Sequence, residues 1–439
     1  MKMLPLDRVL VAMLFAGSGL AAPAQPYTIG TLAGSATNPG NADGTNGAAQ
    51  FTSPTGLALD SNGNILLNDG NAIRRIVAYG TNWVLGTLAG AILTHGPNDG
   101  TNSAAQFDDP QGLAVDAAGN IYVADTLNNA IRKVTPIGTN WVVTTIAGLA
   151  GRSNFGTADG TNAAARFHNP FGIALDSATN LYVTDTLNAT IRKLTPIGTN
   201  WVVTTLAGLT NNPGSANGSN SVARFNNPTG IAMDTAGNVY VTDFGNNTIR
   251  KVMAIGTNWA VTTLAGLAGS SGSADGLGSA ARFNLPQCIA VDSAQNLFVT
   301  DSGNYTLRKV TPTGLVSTLA GTPGVSGTAN GTGKAALFSE PYGIAVNGAG
   351  TLYVADYLGY SVRQGRLAPL LQLAVSGQRF VLSWPLGLTG FVAEVCTSLP
   401  GASWSALPTN GILLTNQYFF LTNNLGPGPG FFRLHKLTP

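Results

Sequence analysis

Four short apolar runs, separated by turn-forming residues, recur along most of the chain. Between residues 169 and 208 these runs occupy positions 172–176, 181–185, 190–195 and 201–208. The connections between them, such as Ser-Ala-Thr-Asn and Pro-Ile-Gly-Thr-Asn, are as short as hairpins require. The pattern therefore predicts a unit of four antiparallel strands.

The unit repeats at a nearly constant spacing. Its fourth run carries the tetrapeptide Thr-(Leu/Ile)-Ala-Gly, which begins at Thr31, Thr87, Thr145, Thr205, Thr263 and Thr318. A spacing of 55 to 60 residues between four-strand units is typical of the blades of a β-propeller. The first tetrapeptide lacks preceding strands and the last unit lacks a tetrapeptide, so each completes the other. We therefore predict an all-β, six-bladed propeller at residues 25–366, closed by an N-terminal outer strand.

The repeated motif resembles that of a known family. Residues 228–252 read PTGIAMDTAGNVYVTDFGNNTIRKV, and the spacing of Pro, Gly, Asp, Asn and Ile-Arg-Lys-Val in this stretch resembles the NHL repeat. The resemblance covers about residues 27–366 and implies a propeller. Because NHL-repeat proteins include lyases, RNA-binding modules and extracellular adhesion modules, the resemblance implies no single function.

The two ends of the chain depart from the repeat. Residues 1–24 combine the basic Lys2 and Arg8, an apolar run and the small residues Ala22-Pro23-Ala24. This is the pattern of a secretory signal peptide, with an uncleaved membrane anchor as the alternative. Residues 367–439 contain strand-like runs broken by Gly-Pro-Gly-Pro-Gly, which predict a small β-sandwich-like module for surface attachment or docking. We expect a secreted, periplasmic or cell-surface protein that does not insert into a membrane after signal removal.

Charge gives no indication of nucleic-acid binding. Only 10% of the residues are charged and the net charge is +2, so no bulk attraction to a polyanion is expected. Nearly every unit repeats a basic pair such as Arg192-Lys193 near the aspartate that ends the preceding run. We interpret this arrangement as structural pairing and predict no nucleic-acid partner.

Most carboxylates also belong to the repeat. Aspartates that end the first and second runs, such as Asp176 and Asp185, recur in nearly every unit and are predicted to cap turns. Aspartates also recur in the loop before the repeated Phe, at Asp43, Asp99, Asp159 and Asp275. In the predicted propeller only Asp108, Asp109 and Glu340 then remain for acid-base chemistry. A calcium site is one hypothesis for these three residues. Solvated loop acids are the hypothesis that we favour.

Histidine and cysteine are scarce. The three histidines are His95, His168 and His435, and none lies on a first run. The related six-bladed lyases and lactonases hold a metal through histidine or acidic side chains, so we predict no metal site and no cofactor, with His95 and His168 on the surface. Cys288 and Cys396 form either one disulfide or two buried free thiols, and we favour the free thiols.

Aromatic and amide residues distinguish one unit from another. They occur at the single variable position between the repeated Pro and Gly, and in the loops that join the second and third runs. Those that we predict to bind a ligand are Gln111, Phe171, Gln287, Tyr342, Phe244, Tyr305, Tyr357 and Tyr360. Strand order places these positions on one face of the propeller, near the channel mouth. Packing of Phe171 and Tyr342 between blades is the alternative.

These observations predict a monomeric, exported and non-enzymatic scaffold for binding or adhesion. Aromatic rings beside hydrogen-bonding groups suit a glycan, peptide or protein ligand on this face. The alternative is a lyase or lactonase that uses the central channel of the propeller. The tryptophans that open the fourth runs, such as Trp201, are expected to pack against their own hairpins instead of binding a ligand.

Overall fold

The computed structural model describes residues 25–368 without a break and then the segments 372–376, 379–385, 391–396, 405–407, 413–415, 418–424 and 431–436. It divides into two compact units, of which one is Pro26–Arg366 and the other contains the later strands. The predicted signal peptide, residues 1–24, lies outside the described residues.

The larger unit is a six-bladed β-propeller, which confirms the fold predicted from the repeat. Each blade is an antiparallel sheet, and the innermost strands of neighbouring blades pack against one another around a central channel. From the innermost strand outward, blade 1 comprises Pro54–Leu59, Ile65–Asp69, Ala72–Tyr79, Asn82–Gly90 and Gly44–Thr45; blade 2 comprises Pro110–Val115, Ile121–Asp125, Ala130–Ile137, Asn140–Ala147 and Gly100–Thr101; blade 3 comprises Pro170–Leu175, Leu181–Asp185, Thr190–Ile197, Asn200–Ala207 and Gly160–Thr161.

The remaining three blades repeat this order. Blade 4 comprises Pro228–Met233, Val239–Asp243, Thr248–Ile255, Asn258–Ala265 and Gly218–Ser219; blade 5 comprises Pro286–Val291, Leu297–Asp301, Thr306–Val310, Leu315–Ala320 and Gly276–Leu277; blade 6 comprises Pro341–Val346, Leu352–Asp356, Ser361–Leu367, Tyr27–Gly34 and Gly331–Thr332. We number the strands of each blade first to fifth in this order.

The fifth strand corrects the prediction of four strands per blade. It has two residues and is followed by a 3-10 turn, at Asn46–Ala48, Asn102–Ala104, Asn162–Ala164, Asn220–Val222, Gly278–Ala280 and Gly333–Ala335. In blade 3 the side-chain oxygen of Asn162 accepts the backbone N–H of Trp201 at 2.6 Å. A two-residue strand shows no alternation of polar and apolar positions, so only this tertiary pairing reveals it.

The N-terminal strand closes the ring as predicted. Tyr27–Gly34 is the fourth strand of blade 6, next to Ser361–Leu367, and its Thr28 and Ile29 pair with Thr332 and Gly331 of the fifth strand. Blade 6 is therefore assembled from both ends of the repeat array. With the N-terminal strand in place, the third strand of blade 6 has a hydrogen-bonded neighbour on its outer side and is not an exposed edge.

A buried arginine holds each blade to its loops. In blade 3, Nη1 of Arg192 lies 2.6 Å from Oδ2 of Asp185, and its Nη2 lies 2.8 Å from Oδ1 of Asp159. The guanidinium also lies 5.1 Å from the ring centre of Phe167. The equivalent buried arginines are Arg74, Arg132, Arg250, Arg308 and Arg363. The repeated acids and bases thus pair structurally, as their spacing indicates.

The tryptophans contact the preceding blade in addition to their own hairpins. The ring of Trp201 packs edge-on against Tyr122 of blade 2, with 5.7 Å between ring centres, and Trp259 packs in the same way against Tyr182 of blade 3 at 6.0 Å. Each ring therefore joins its blade to the preceding one. The preceding blade supplies an aromatic partner, while Trp201 also shares a buried cluster with Leu194 and Val203 of its own hairpin.

The later strands form two sheets. One contains Gln372–Ser376, Arg379–Pro385, Tyr418–Asn424 and Leu413–Thr415, and the other contains Ser405–Ala406, Phe391–Cys396 and Phe431–Lys436. A sandwich-like packing of the two sheets stays a prediction. Cys288 is a free cysteine, whereas the side chain of Cys396 lies outside the described part of the chain. The described helices are all single 3-10 turns, too short to cross a membrane.

Replacing a buried residue of the closing strand is expected to destabilise the propeller. Ile29→Ala removes a side chain that is 1% exposed, and we expect a loss of about 2–5 kcal/mol in the free energy of unfolding. Gly30→Ala is the matched control, because a Cβ at Gly30 meets no atom within 4 Å. Urea unfolding measures both variants. Equal urea midpoints for the Ile29→Ala and Gly30→Ala variants would contradict the closure of blade 6 by the N-terminal strand.

Stability is expected to fall in alkali because of tyrosines that donate to turn aspartates. The hydroxyl of Tyr182 donates to Oδ2 of Asp176 at 3.2 Å, and burial, followed by the charge of Asp176, raises the pKa of Tyr182 to about 12. The raised folded-state pKa favours the protonated phenol, so the stabilisation is present below the unfolded pKa of about 10 and is lost as the pH rises through 12. Tyr122 and Tyr240 make the same bond.

The test compares melting temperature with pH, between about pH 9 and pH 12, for the wild type and the Tyr122→Phe, Tyr182→Phe, Tyr240→Phe triple variant. We expect a shallower decline in the variant. Tyr353→Phe is the control, because the corresponding turn of blade 6 carries Asn347 instead of an aspartate. Parallel curves for wild type and triple variant would count against this explanation.

Candidate functional site

The loops that vary between blades lie on one face. The loop that joins the second and third strands bonds to the loop that precedes the first strand: Leu187 N–H donates to His168 O at 3.1 Å in blade 3, and Tyr357 N–H donates to Glu340 O at 2.9 Å in blade 6. We call this surface the variable-loop face. Both sets of loops share it, as strand order predicts.

The second residue of each first strand forms a ring at the channel mouth. From blade 1 to blade 6 the ring reads Thr55, Gln111, Phe171, Thr229, Gln287 and Tyr342. In a six-bladed ring, blade 1 faces blade 4, blade 2 faces blade 5 and blade 3 faces blade 6. Threonine therefore lies opposite threonine, glutamine opposite glutamine, and one aromatic residue opposite another. This approximate twofold pattern becomes visible only when the blades are arranged in a circle.

Three of the predicted ligand-binding residues form a continuous aromatic row. The ring centres of Phe171 and Tyr342 are 6.0 Å apart, and those of Tyr342 and Tyr357 are 5.5 Å apart. Phe171 is buried, while Tyr342 and Tyr357 are half-buried. Because blades 3 and 6 are opposite, the row crosses the channel mouth and does not pack between adjacent blades.

The other predicted residues border the row without joining it. Gln111 and Gln287 are buried in the ring, and Phe244, Tyr305 and Tyr360 are half-buried in loops between second and third strands. The ring contacts of the described residues connect Phe171 only to Tyr342, and Tyr342 to Tyr357. The structure therefore brings together a subset of the eight residues that the sequence selects.

One loop acid contradicts the prediction of solvated carboxylates. Asp108 is 3% exposed, and its two oxygens accept bonds from Nε and Nη2 of Arg152 at 2.5 and 2.9 Å. Arg152 lies in the loop between blades 2 and 3, and our sequence reasoning missed it because it belongs to no repeated motif. Asp109 is exposed and accepts a bond from Nε2 of Gln111 at 2.7 Å, while Glu340 is half-buried.

Ionisable groups surround the aromatic row. Burial raises the pKa of the Tyr342 phenol well above 10, and Cys288, Asp109, Glu340 and Tyr357 raise it further. Burial also raises the pKa values of the Asp109 and Glu340 carboxyls. Asp109 is exposed as a residue, yet the protein near its carboxyl still desolvates that group. The phenol therefore stays protonated at neutral pH and is able to donate a hydrogen bond.

Two buried acceptors at the mouth lack a partner among the described residues. They are Oε1 of Gln111 and Oδ1 of Asn68, on side chains that are 6% and 0% exposed. The amide nitrogen of Asn68 donates to the backbone oxygen of Gln111 at 2.8 Å, so the two side chains are neighbours. A buried acceptor without a donor is costly and needs an explanation.

Close packing of the first strands sets the width of the mouth. A Cβ at Gly56 would lie 2.1 Å from the backbone oxygen of Gln111, and a Cβ at Gly343 would lie 2.1 Å from that of Thr55. Cys288 replaces this glycine in blade 5 and is partly accessible. The protein around the channel nevertheless desolvates the thiol, and this burial raises the pKa of Cys288 to about 12.

His95 and His168 lie near the variable-loop face. His95 is exposed, with Nδ1 3.9 Å from Oδ2 of Asp108. His168 is half-buried and stacks on Phe155 with 4.5 Å between ring centres, and burial lowers the pKa of its imidazole. Phe155 is a second residue that sequence reasoning missed. Among the described residues, no group of three or more His, Cys, Asp or Glu could hold a metal ion.

Two further grooves lie between the outer strands. One of about 670 Å³ is lined by residues of blades 6 and 1, including Trp83, and one of about 580 Å³ by residues of blades 2 and 3, including Trp201. Neither is lined by any of the eight predicted residues. The first groove is lined mainly by small polar residues and glycine, and the second by a mixture of apolar residues and threonine. Neither is lined by a carboxylate, so we give more weight to the mouth, where aromatic, amide and carboxyl groups meet.

Comparison with known proteins supports an NHL-repeat propeller. The NHL repeat model matches residues 107–134 and 225–252. NHL repeat-containing protein 2 of Bos taurus is 28% identical over 306 residues, which cover 61% of this chain and 41% of that protein. The chain spans less than half the length of the curated relatives it matches.

Solved structures share the fold. A structural-genomics protein of unknown function from Bacteroides thetaiotaomicron is 22% identical, with a TM-score of 0.59 over 78% of this chain and 76% of that one. An auxiliary nutrient binding protein from Bacteroides ovatus is 17% identical, with a TM-score of 0.59 over 78% of this chain and 77% of that one. Likeness at these identities establishes the propeller architecture and nothing about the ligand.

Removing the aromatic row is expected to expose Cys288 to reagents. In a Cys396→Ser background, Tyr342→Ala should raise the rate of Cys288 labelling by a thiol reagent by about tenfold or more, because solvation lowers the thiol pKa. Tyr79→Ala is the control, since this tyrosine is 77% exposed at the end of a third strand. Circular dichroism confirms that each variant folds. An unchanged labelling rate would mean that the row does not cover the thiol.

Proposed function

We propose that the protein is an exported, non-enzymatic binding scaffold that recognises a glycan, peptide or protein on its variable-loop face. The observation that carries the proposal is the row Phe171, Tyr342 and Tyr357 across the channel mouth. Buried Phe171 supports the row from below, and half-buried Tyr342 and Tyr357 offer ring surface to a ligand.

The groups around the row suit a ligand with apolar and polar parts. Flat aromatic rings bind the apolar faces of sugars or amino-acid side chains, and amides or carboxylates beside them fix orientation through hydrogen bonds. Gln111, Asp109 and Glu340 supply such groups at the mouth. A rigid propeller with variable loops provides the usual scaffold for this kind of recognition.

The position of the row favours binding over chemistry in the channel. A lyase or lactonase substrate that entered the channel from this face would need to pass the Phe171–Tyr342 contact, whose ring centres are 6.0 Å apart. A ligand that rests on the row needs no such rearrangement. This argument supports a surface site as the function of the mouth.

Export and attachment complete the proposal. The basic and apolar residues of positions 1–24 support secretion to the periplasm, cell surface or medium, and the module at residues 367–439 is proposed to dock the monomeric propeller to a surface. The Bacteroides ovatus structure is described as an auxiliary nutrient binding protein. Nutrient capture outside the cytoplasm is consistent with the same arrangement here, and we propose no nucleic-acid partner and no cofactor.

The test is a glycan and peptide array probed with wild type and the Tyr342→Ala, Tyr357→Ala double variant. We expect the double variant to lose about tenfold or more in affinity for whatever the wild type binds, since buried aromatic anchors dominate such contacts. Tyr79→Ala, which removes an exposed aromatic ring elsewhere, should bind like the wild type. Wild-type binding that survives the double substitution would place the site elsewhere on the protein.

A further inference from the structure

The two grooves between outer strands differ in how much of their tryptophan is accessible. Trp201, which lines the groove between blades 2 and 3, is 8% exposed. Trp83 is half-buried: it packs against the core between blades 6 and 1 and also lines the groove between them, which we call the blade 6–1 groove. The blade 6–1 groove therefore presents an indole surface that the other groove largely lacks.

In four of the other blades, a basic residue of the third strand lies against an aromatic ring. The guanidinium carbon of Arg75 in blade 1 lies 5.8 Å from the ring centre of Trp141 in blade 2. Lys133, Lys193 and Lys251 lie 5.6 to 5.8 Å from the tyrosine rings of their own second strands. Each of these bases directly follows the buried arginine of its strand. A cation on a ring occupies a face that a ligand would otherwise contact.

Blade 6 departs from this pattern at Gln364. Gln364 directly follows the buried Arg363 and pairs with Tyr353 of the second strand, as the base of blade 3 pairs with the tyrosine of its own second strand. Its neutral side chain lines the blade 6–1 groove together with Trp83 and makes no hydrogen bond among the described residues. For Trp83, alone among the tryptophans that open fourth strands, the described residues form neither an aromatic pair nor a cation–π contact.

The rest of the groove is neutral and rich in hydrogen-bonding groups. Threonine and serine hydroxyls and the amides of Asn46 and Gln364 line it, and none of the lining residues is charged. Its large apolar residues are Trp83 and Leu32, of which Leu32 is buried. An ionic ligand would find no counter-charge here, and burying its charge would be costly. A hydrophobic peptide side chain would find no apolar pocket apart from the indole.

The size of the groove suits a small ligand or a short chain. Its volume is about 670 Å³, within the range of about 300–1,000 Å³ that is usual for small-molecule sites. None of the residues of the aromatic row lines it. A ligand in this groove is therefore bound by residues other than those of the row.

We propose that the blade 6–1 groove binds a neutral oligosaccharide, with one sugar ring against Trp83. A sugar ring has an apolar face, which an aromatic ring contacts favourably, and hydroxyls that both donate and accept hydrogen bonds. The amide of Gln364 and the hydroxyl of Thr81, both lining the groove, supply donors and acceptors. This inference goes beyond the proposed function and does not depend on it, because it concerns a different surface.

The probes are neutral hexasaccharides of glucose, mannose and N-acetylglucosamine. Each is compared by isothermal titration calorimetry with two charged hexamers, one of mannuronic acid and one of glucosamine at a mildly acidic pH where its amine is charged. We expect wild type to bind at least one neutral hexasaccharide about tenfold or more tightly than either charged hexamer. A neutral hexapeptide of glycine and serine tests the other class of ligand, and we expect it to bind more weakly than the preferred sugar.

Gln364→Lys gives blade 6 the base that blades 2 to 5 carry at this position, so the variant should fold. We expect it to weaken binding of the preferred hexasaccharide by about tenfold or more, because the ammonium group covers the indole face. Trp83→Ala should weaken binding at least as much, since it removes the ring itself. Thermal melting shows whether each variant remains folded.

Lys251→Gln is the matched control. It makes the reverse exchange at the same strand position of blade 4, next to a fourth strand in blade 5 that begins with Leu315 and contains no tryptophan. This control should bind the hexasaccharide as the wild type does. The Tyr342→Ala, Tyr357→Ala variant should also keep this binding, because the aromatic row lies outside the groove.

Several outcomes would overturn the inference. No binding of any neutral hexasaccharide, equal affinity for the charged hexamers, or binding that survives Gln364→Lys in a folded protein each contradicts it. Tighter binding of the hexapeptide would assign the groove to a peptide. Sugar binding that is lost in the Tyr342→Ala, Tyr357→Ala variant but kept in Gln364→Lys would support the proposed function and remove the groove as the site. Loss in Gln364→Lys alone supports the groove, whatever the mouth binds.

Discussion

The buried pairing of aspartate with arginine is the interaction on which the rest of the propeller depends. In blade 3, Asp185 at the end of the second strand accepts Nη1 of Arg192 from the third strand and the backbone N–H of His168 from the preceding loop. Burial raises the pKa of Asp185 to about 6 despite the charge of Arg192, so the pair is costly to desolvate. The pair connects two strands and a loop in a fixed arrangement. Removing one partner of such a pair typically lowers the free energy of unfolding by about 3–5 kcal/mol.

This connection determines where variation is tolerated. The bonded N–H groups belong to residues such as Asp108, His168 and Glu340, immediately before the proline that starts the first strand or one residue earlier. Because backbone atoms make the bond, the side chains at these positions are free to differ between blades. The following ring residue differs as well. The same aspartate–arginine pair in each blade therefore holds in place, at the channel mouth, side chains that differ from blade to blade.

The mouth also depends on how closely the blades approach. Glycine in the first strands lets neighbouring backbones come within contact distance, as at Gly56 and Gly343. The narrow ring brings Phe171 and Tyr342 from opposite blades into contact, although 171 residues separate them in the chain. Glu340 lies beside one of these tyrosine loops, because its backbone oxygen accepts the N–H of Tyr357. The closed ring of blades thus brings charged groups and aromatic rings together at the channel mouth.

The sequence by itself determined the number of blades, the closing N-terminal strand and the structural role of the repeated acids and bases. It did so because six copies of one pattern report the same local constraints six times, and because hairpin spacing and strand order follow from short connections. The differences between copies also pointed to Phe171, Tyr342 and Tyr357. These inferences needed only periodicity and the comparison of equivalent positions.

Only the tertiary structure decided which of these differences meet in space. The pairing of Asp108 with Arg152, the contact of Trp201 with Tyr122 and the row across the channel all join residues of different blades. Their contacts depend on the curvature of the ring and on loops whose lengths and residues do not repeat. The Asp108–Arg152 pair and the aromatic row each occur once, so no periodic signal encodes them. The Trp201–Tyr122 contact recurs as Trp259–Tyr182, but it joins two successive copies, and the repeat by itself does not show that these side chains touch. The repeated sequence therefore predicts the architecture, whereas the candidate site forms only when the ring of blades closes.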